Sequence, residues 1–189
     1  MDQLICILGA LRKEINLIRG QMTVDEQLKL GQADAWIGNW EGVRIILVRT
    51  GIGKDFALSA LEKVLNRVNP SLILSIGYAG GLNPKLKAGD VFLADKVLEI
   101  NPVSNAVRNH SLDLKQLELL DELNFSKKIV VHRGALITVD QVVDDALVKQ
   151  ELGLRFNALA VDMETAVLIE HANEKKIPFL SVRAFSDTV

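Results

Sequence analysis

LILSIGYAGG, residues 72–81, is the stretch on which the fold turns. Leu72–Ile76 is a short apolar run of the kind that forms a strand covered on both faces. Gly77-Tyr78-Ala79-Gly80-Gly81 follows at once, which predicts a loop whose bare backbone can approach a ligand. The same order recurs upstream. Leu4–Leu8 reads as a buried strand, and Leu11–Arg19 as a helix with Leu11, Ile15 and Ile18 on one face and a stop at Gly20. Ala35–Gly38 and Val43–Val48 read as paired strands around the turn residues Asn39 and Glu41-Gly42. Thr50-Gly51-Ile52-Gly53-Lys54 is a tight glycine loop, and the helix Phe56–Val68 after it is closed by Pro70.

Downstream, strands are expected over Val91–Ala94, Val97–Ile100, Ile129–His132, Ala135–Thr138, Leu159–Val161 and Phe179–Val182. Helices are expected over Leu112–Leu123, Val142–Leu152 and Glu164–Glu174, with an irregular polar loop over 101–110. Strands alternating with crossover-length helices predict an α/β fold, a largely parallel sheet with helices on both faces. A chain of 189 residues predicts a single domain.

Composition narrows the function. Apolar residues make up 49% and charged residues 24%, enough for a sizeable core. The net charge is −2, so there is no basic excess to neutralise a phosphate backbone, and nucleic acid is excluded as a partner. Cys6 is the one cysteine, set in an apolar run, and His110, His132 and His171 have no metal-ligand spacing. Leu4–Leu11 is preceded by Asp2 rather than by a basic leader, and no apolar run reaches the roughly 20 residues that span a membrane. A cytoplasmic setting is therefore expected.

Ligands of open α/β sheets bind beyond the carboxyl ends of the strands. Glu14, the TGIGK loop, the GYAGG loop, Asp162, Glu164, Arg183, Ser186 and Asp187 all follow a predicted strand. TGIGK is neither a Walker A loop nor a dinucleotide fingerprint, and by itself reads as a tight strand-to-helix turn. Asp162 taken alone reads as a cap of the helix that carries Glu164. Three carboxylates converging with an arginine point to a site.

At ILGALRKEI (7–15), RTGIGK (49–54), SIGYAGGLNPKLKAGDVFLAD (75–95), ALAVDMETA (158–166) and IPFLSVRAFSD (177–187) the chain resembles the nucleoside phosphorylase/nucleosidase family. It is most similar to the branch of 5′-methylthioadenosine/S-adenosylhomocysteine nucleosidases. TVDQVVDD (138–145) and VDMET are similar to hopanoid-associated nucleosidases of the same family. The resemblance implies a three-layer α/β/α sandwich with a mixed, largely parallel sheet, a homodimer and no cofactor. It also implies residue roles. Glu14 activates the attacking water, Asp187 protonates the leaving purine at N7, and Arg183 lies near the water. Met163 and Glu164 contact the ribose, Ser186 helps to place Asp187, and Tyr78, Gly80, Val142 and Val143 line the nucleoside site.

Cleaving a glycosidic bond builds positive charge on the sugar and negative charge on the base, so a general acid at the base and a general base at the water are what the reaction needs. Hydrolysis is favoured over phosphorolysis, because Ser75, Tyr78 and Gly9-Ala10-Leu11 stand where the family's phosphorylases carry phosphate ligands. Arg12 and Arg49 keep a purine nucleoside phosphorylase open as an alternative. A catalytically weak nucleoside-binding homologue is the other alternative. Residues 101–112 are short and lack the aromatics that line the branch's pocket for the 5′ substituent, and three further departures from the branch are visible. Tyr78 replaces a serine, Val142 stands where an aromatic residue stacks on adenine, a contact worth roughly 1–3 kcal/mol, and only Thr188 and Val189 follow Asp187, so the family's C-terminal helix is expected to be missing.

Overall fold

The computed structural model describes residues 3–101, 106–112 and 114–189. Residues 102–105 of the expected polar loop and Asp113 of the expected helix 112–123 lie outside the described residues. The fold is α/β, with ten strands in a mixed sheet and five helices among the described residues. The chain forms two compact units, Met1–Gly77 with Val167–Phe179, and Tyr78–Ala166 with Leu180–Val189.

The first unit is built on β1 (Leu4–Gly9), which pairs in parallel with β4 (Val43–Arg49) on one side and with the start of β5 (Leu72–Gly81) on the other. Beyond β4 the sheet continues antiparallel through β3 (Ala33–Trp40) to β2 (Thr23–Leu30). The turn from β3 to β4 uses Glu41 and Gly42 at φ 49° and 80°, the left-handed geometry of a two-residue hairpin. Helix α1 (Arg12–Gln21) follows β1, and α2 (Lys54–Leu65) follows β4. Ile15 packs into a core with Ile7, Met22, Ile45 and Leu47.

The second unit has β6 (Val91–Ile100) at its centre. It pairs in parallel with β8 (Val131–Thr138), and antiparallel with β7 (Val107–Ser111) and with β10 (Phe179–Asp187). β8 pairs in parallel with β9 (Ala158–Asp162), which meets the glycine end of β5 antiparallel at Gly80 and Gly81. Helix α3 (Leu114–Glu122) precedes β8, α4 (Ala146–Phe156) precedes β9, and α5 (Thr165–Glu174) starts just after β9. Leu152 and Phe156 of α4 pack on a core that includes Leu82, Leu98, Ile137 and Val161.

Several expected boundaries differ. The GYAGG segment is strand and not loop: Gly80 and Gly81 pair with Val161 and Ala160, and missing side chains do not stop a backbone ladder. The two short strands expected within 91–100 are one strand with a bulge between Ala94 and Lys96, and those within 129–138 are one strand that begins at Val131. Residues 107–111 are strand, although VRNHS has no apolar alternation, because they pair along one side of β6. β2 had no clear signal, since a register shift between Val24 and Glu26 breaks its alternation. Helix α1 runs through Gly20, where nothing else packs. Helix α4 begins at Ala146 and not at Val142, because the Asp145 carboxylate accepts from the amides of Leu147 (2.8 Å) and Val148 (3.0 Å) and caps the helix there. β10 runs on to Asp187, so Arg183, Ser186 and Asp187 are strand residues.

Cys6 is fully buried in β1, and burial pushes its thiol up to about 12. The thiolate is the reactive form. The folded protein is therefore expected to stay unlabelled by a thiol reagent at pH 8, and to take up one equivalent when unfolded in denaturant. Fast labelling of the native protein would contradict the packing described for β1.

Candidate active site

A buried arginine organises the second unit's polar interior. Arg183 is 3% exposed and the side chain of Asp162 1%. Arg183 donates from Nη2 (2.9 Å) and Nε (3.2 Å) to Asp162 Oδ2, and from Nη2 to Thr165 Oγ1 (2.7 Å). The Thr165 hydroxyl also donates to Asp162 Oδ2. Thr138 donates to Asp162 Oδ1 (2.8 Å) and accepts from the amide of Ala166 (3.1 Å). Asp162 thus caps the start of α5, as expected of it, and also neutralises Arg183. These bonds fasten the ends of β8 and β9, the middle of β10 and the start of α5. Met163 and Glu164, both half-buried, occupy the two positions between β9 and α5.

Beside this network lies a cavity of about 300 Å³. It is lined by Tyr78, Gly80, Val142, Val143, Met163, Ser186 and Asp187, together with Gln141, Asp144 and Asp162. Asp187 sits at its edge with about half its side chain exposed. Its Oδ1 accepts from Ser186 Oγ at 2.9 Å, and its Oδ2 accepts from the ammonium of Lys149. The Lys149 side chain is 2% exposed. A Cβ on Gly80 would lie 3.1 Å from Val161 Cγ1, 3.4 Å from Lys149 Cε and 3.6 Å from Asp187 Oδ1, so glycine at 80 leaves room for this pair.

Glu14 belongs to the first unit. Its Oε2 accepts from the amide of Leu11 at 2.7 Å, the reach of an acid in a first helical turn back to the residue before the helix. Its carboxylate lies over β5: a Cβ on Gly77 would come within 2.9 Å of Oε1. Glycine at 77 is thus what admits the carboxylate. Arg49, one of the two candidate phosphate contacts, is committed to Asp34 through Nε (3.1 Å) and Nη2. Lys29, and then Arg49, hold the Asp34 carboxyl below the usual carboxylate range.

Seven of the expected site residues therefore line one cavity: Tyr78, Gly80, Val142, Val143, Met163, Ser186 and Asp187. Glu164 stands next to Met163, and Glu14 lies in the other unit. Arg183 reaches Asp162 and Thr165. Lys149 escaped the sequence reading, yet a signal existed. It is three residues before Leu152 and seven before Phe156, in phase with the face of α4 that packs inward, whereas Leu147 and Leu154 are 76% and 80% exposed. Among the described residues no group of three or more His, Cys, Asp or Glu is placed to hold a metal ion. No helix among them is long and apolar enough to cross a membrane.

Comparison with known proteins bears on what this arrangement does. The family model of the Phosphorylase superfamily matches residues 4–189. The 5′-methylthioadenosine/S-adenosylhomocysteine nucleosidase of Bacillus velezensis is 27% identical over 196 residues, covering 97% of this chain and 85% of that protein. Among solved structures, a mutant Helicobacter pylori MTAN with 5′-methylthioadenosine in its active site superposes with a TM-score of 0.87 at 25% identity, covering 99% of this chain and 86% of that one. The futalosine hydrolase of Helicobacter pylori superposes with a TM-score of 0.86 at 26% identity, covering 98% and 84%.

Replacing Arg183 by Met would leave Asp162 buried with its charge unanswered, which costs about 3–5 kcal/mol. Urea unfolding of Arg183→Met is expected to show a loss of that order. Asp162→Asn combined with Arg183→Met is expected to recover part of it. Equal stability of Arg183→Met and the parent would refute the pairing.

Proposed function

The chain belongs to the phosphorylase superfamily, and on that premise we propose that it hydrolyses the N-glycosidic bond of a 5′-substituted adenosine and releases adenine. One observation supports this above all: residues far apart in sequence, from Gly80 to Asp187, line a single cavity with an acid at its edge. The relatives point the same way, since a nucleosidase matches nearly the whole chain, and a structural neighbour holds 5′-methylthioadenosine in its active site.

The roles follow from the chemistry. As the bond from the ribose to the purine breaks, the electron pair moves to the base, and Asp187 supplies the proton that neutralises it at N7. Ser186 orients that carboxyl. Glu164 holds the ribose hydroxyls and, as an anion, favours the cation that develops on the sugar, while Met163 packs on the ring. Glu14 accepts a proton from the attacking water. Arg183 acts at one remove: it fixes Asp162, which caps the helix next to Glu164. Water is the nucleophile in this reading, and the commitment of Arg49 to Asp34 favours water over phosphate. The homodimer implied by the family resemblance belongs to the same reading.

Methylthioadenosine, S-adenosylhomocysteine and 5′-deoxyadenosine, each offered with and without phosphate, test it by adenine release. Release that does not depend on phosphate is expected for at least one of them. Glu14→Gln and Asp187→Asn are each expected to lower kcat by about 10²–10⁴-fold. Release only in the presence of phosphate, with formation of a ribose phosphate, would make the protein a phosphorylase. Binding without turnover would make it a nucleoside-binding homologue.

A further inference from the structure

We propose that Lys149 is a positioning residue for Asp187, and that the proton for the leaving base is held by the lysine–aspartate pair rather than by the carboxyl alone. This rests on the nucleosidase reading above.

A lysine in the first turn of a helix works against the helix dipole, and a buried ammonium is unfavourable unless it is answered. Lys149 is the fourth residue of α4 and its side chain is 2% exposed. Neither helix stability nor solvation explains it. What answers the charge is Asp187, to which Nζ donates. The chain is built around the pair. Asp145 sets where α4 starts and so which residue of the helix points inward. Gly80 carries no side chain where Lys149 Cε and Asp187 Oδ1 pass.

Both oxygens of Asp187 accept hydrogen bonds, one from Ser186 and one from Lys149. With both oxygens accepting, Asp187 offers no O–H of its own in this arrangement, whereas a leaving purine needs a proton. The ammonium resolves this. As the glycosidic bond breaks, its electron pair goes to the purine. Lys149 passes a proton to Asp187, and the aspartate passes one on to N7 of the purine. The purine leaves neutral, the aspartate is again a carboxylate, and the lysine is an amine. The water that attacks the sugar gives its proton to Glu14, which releases it to solvent, and one proton returns to Lys149 from solvent as the purine leaves the half-exposed Asp187.

The experiment compares the parent protein with Lys149→Met and Lys149→Arg in two readouts. The first is the pH dependence of kcat and KM for adenine release. Lys149→Met is expected to lower kcat about 10²-fold with KM within about threefold, and to move the alkaline limb of the profile to lower pH, because the proton then rests on a carboxyl alone. Lys149→Arg keeps the positive charge and is expected to retain the alkaline limb. In an Asp187→Asn background, Lys149→Met should cause no further loss, because the two act as a unit. The second readout needs no turnover. The parent should bind 9-deazaadenine, whose N7 carries a hydrogen, more tightly than adenine, and Lys149→Met should lose that preference. If Lys149→Met does not fold by circular dichroism, Lys149→Gln carries the same expectations. An unmoved profile and unchanged base preference in an active protein would overturn this inference and leave the nucleosidase reading intact. So would an alkaline limb that moves to higher pH, or additive losses. A parent that binds neither base and cleaves no nucleoside would overturn both.

Discussion

An arginine cannot shed its charge inside a protein, and Arg183 is inside. A partner carboxylate equally buried is therefore required, and Asp162 supplies it. Much of the second unit's polar structure follows from this pairing. The carboxylate has more lone pairs than Arg183 can use, and Thr138 and Thr165 take the remainder. Their bonds fix the starting point of α5, and with it the backbone on which Met163 and Glu164 are carried. A buried pair of this kind contributes less to net stability than to definiteness, because each partner is costly without the other. Here it makes the positions of Met163 and Glu164 depend on one electrostatic condition.

The opposite device operates at the two glycines of β5. At Gly77 a side chain would collide with the Glu14 carboxylate, and at Gly80 it would press on Val161, Lys149 and Asp187. Neither glycine needs an unusual backbone angle. Their contribution is empty volume beside charged groups, in a strand that keeps its ladder hydrogen bonds. Acids can then lie directly against sheet backbone, which a strand of branched residues would prevent.

Lys149 shows how the two devices meet. An apolar residue at this point of α4 would pack on the core as Leu152 and Phe156 do. A lysine instead carries charge through the core's margin to Asp187, under the gap at Gly80. The two leucines on the other side of the helix are left exposed. The low amphipathicity that results hides the helix's inward face from periodicity alone.

Periodicity and motif order were enough to read the α/β alternation and the strand cores from Leu4 to Val182, whereas Tyr78, Gly80, Val142, Val143 and Met163 of the cavity lining were implied by the family resemblance. Apolar runs and glycine–acid junctions are local properties, and local physics makes them legible. Strand ends were not legible: the glycines of GYAGG and the polar residues from Arg183 to Asp187 resemble loop until a neighbouring strand is there to pair with them. β2 and β7 were hidden for the same reason, since pairing rather than composition makes them strands. The partners of Arg183 and of Asp187 were decided only by tertiary structure. A charge is answered by whichever opposite charge the fold brings near it, and the residues that do so, Asp162 and Lys149, stand 21 and 38 positions away in the chain.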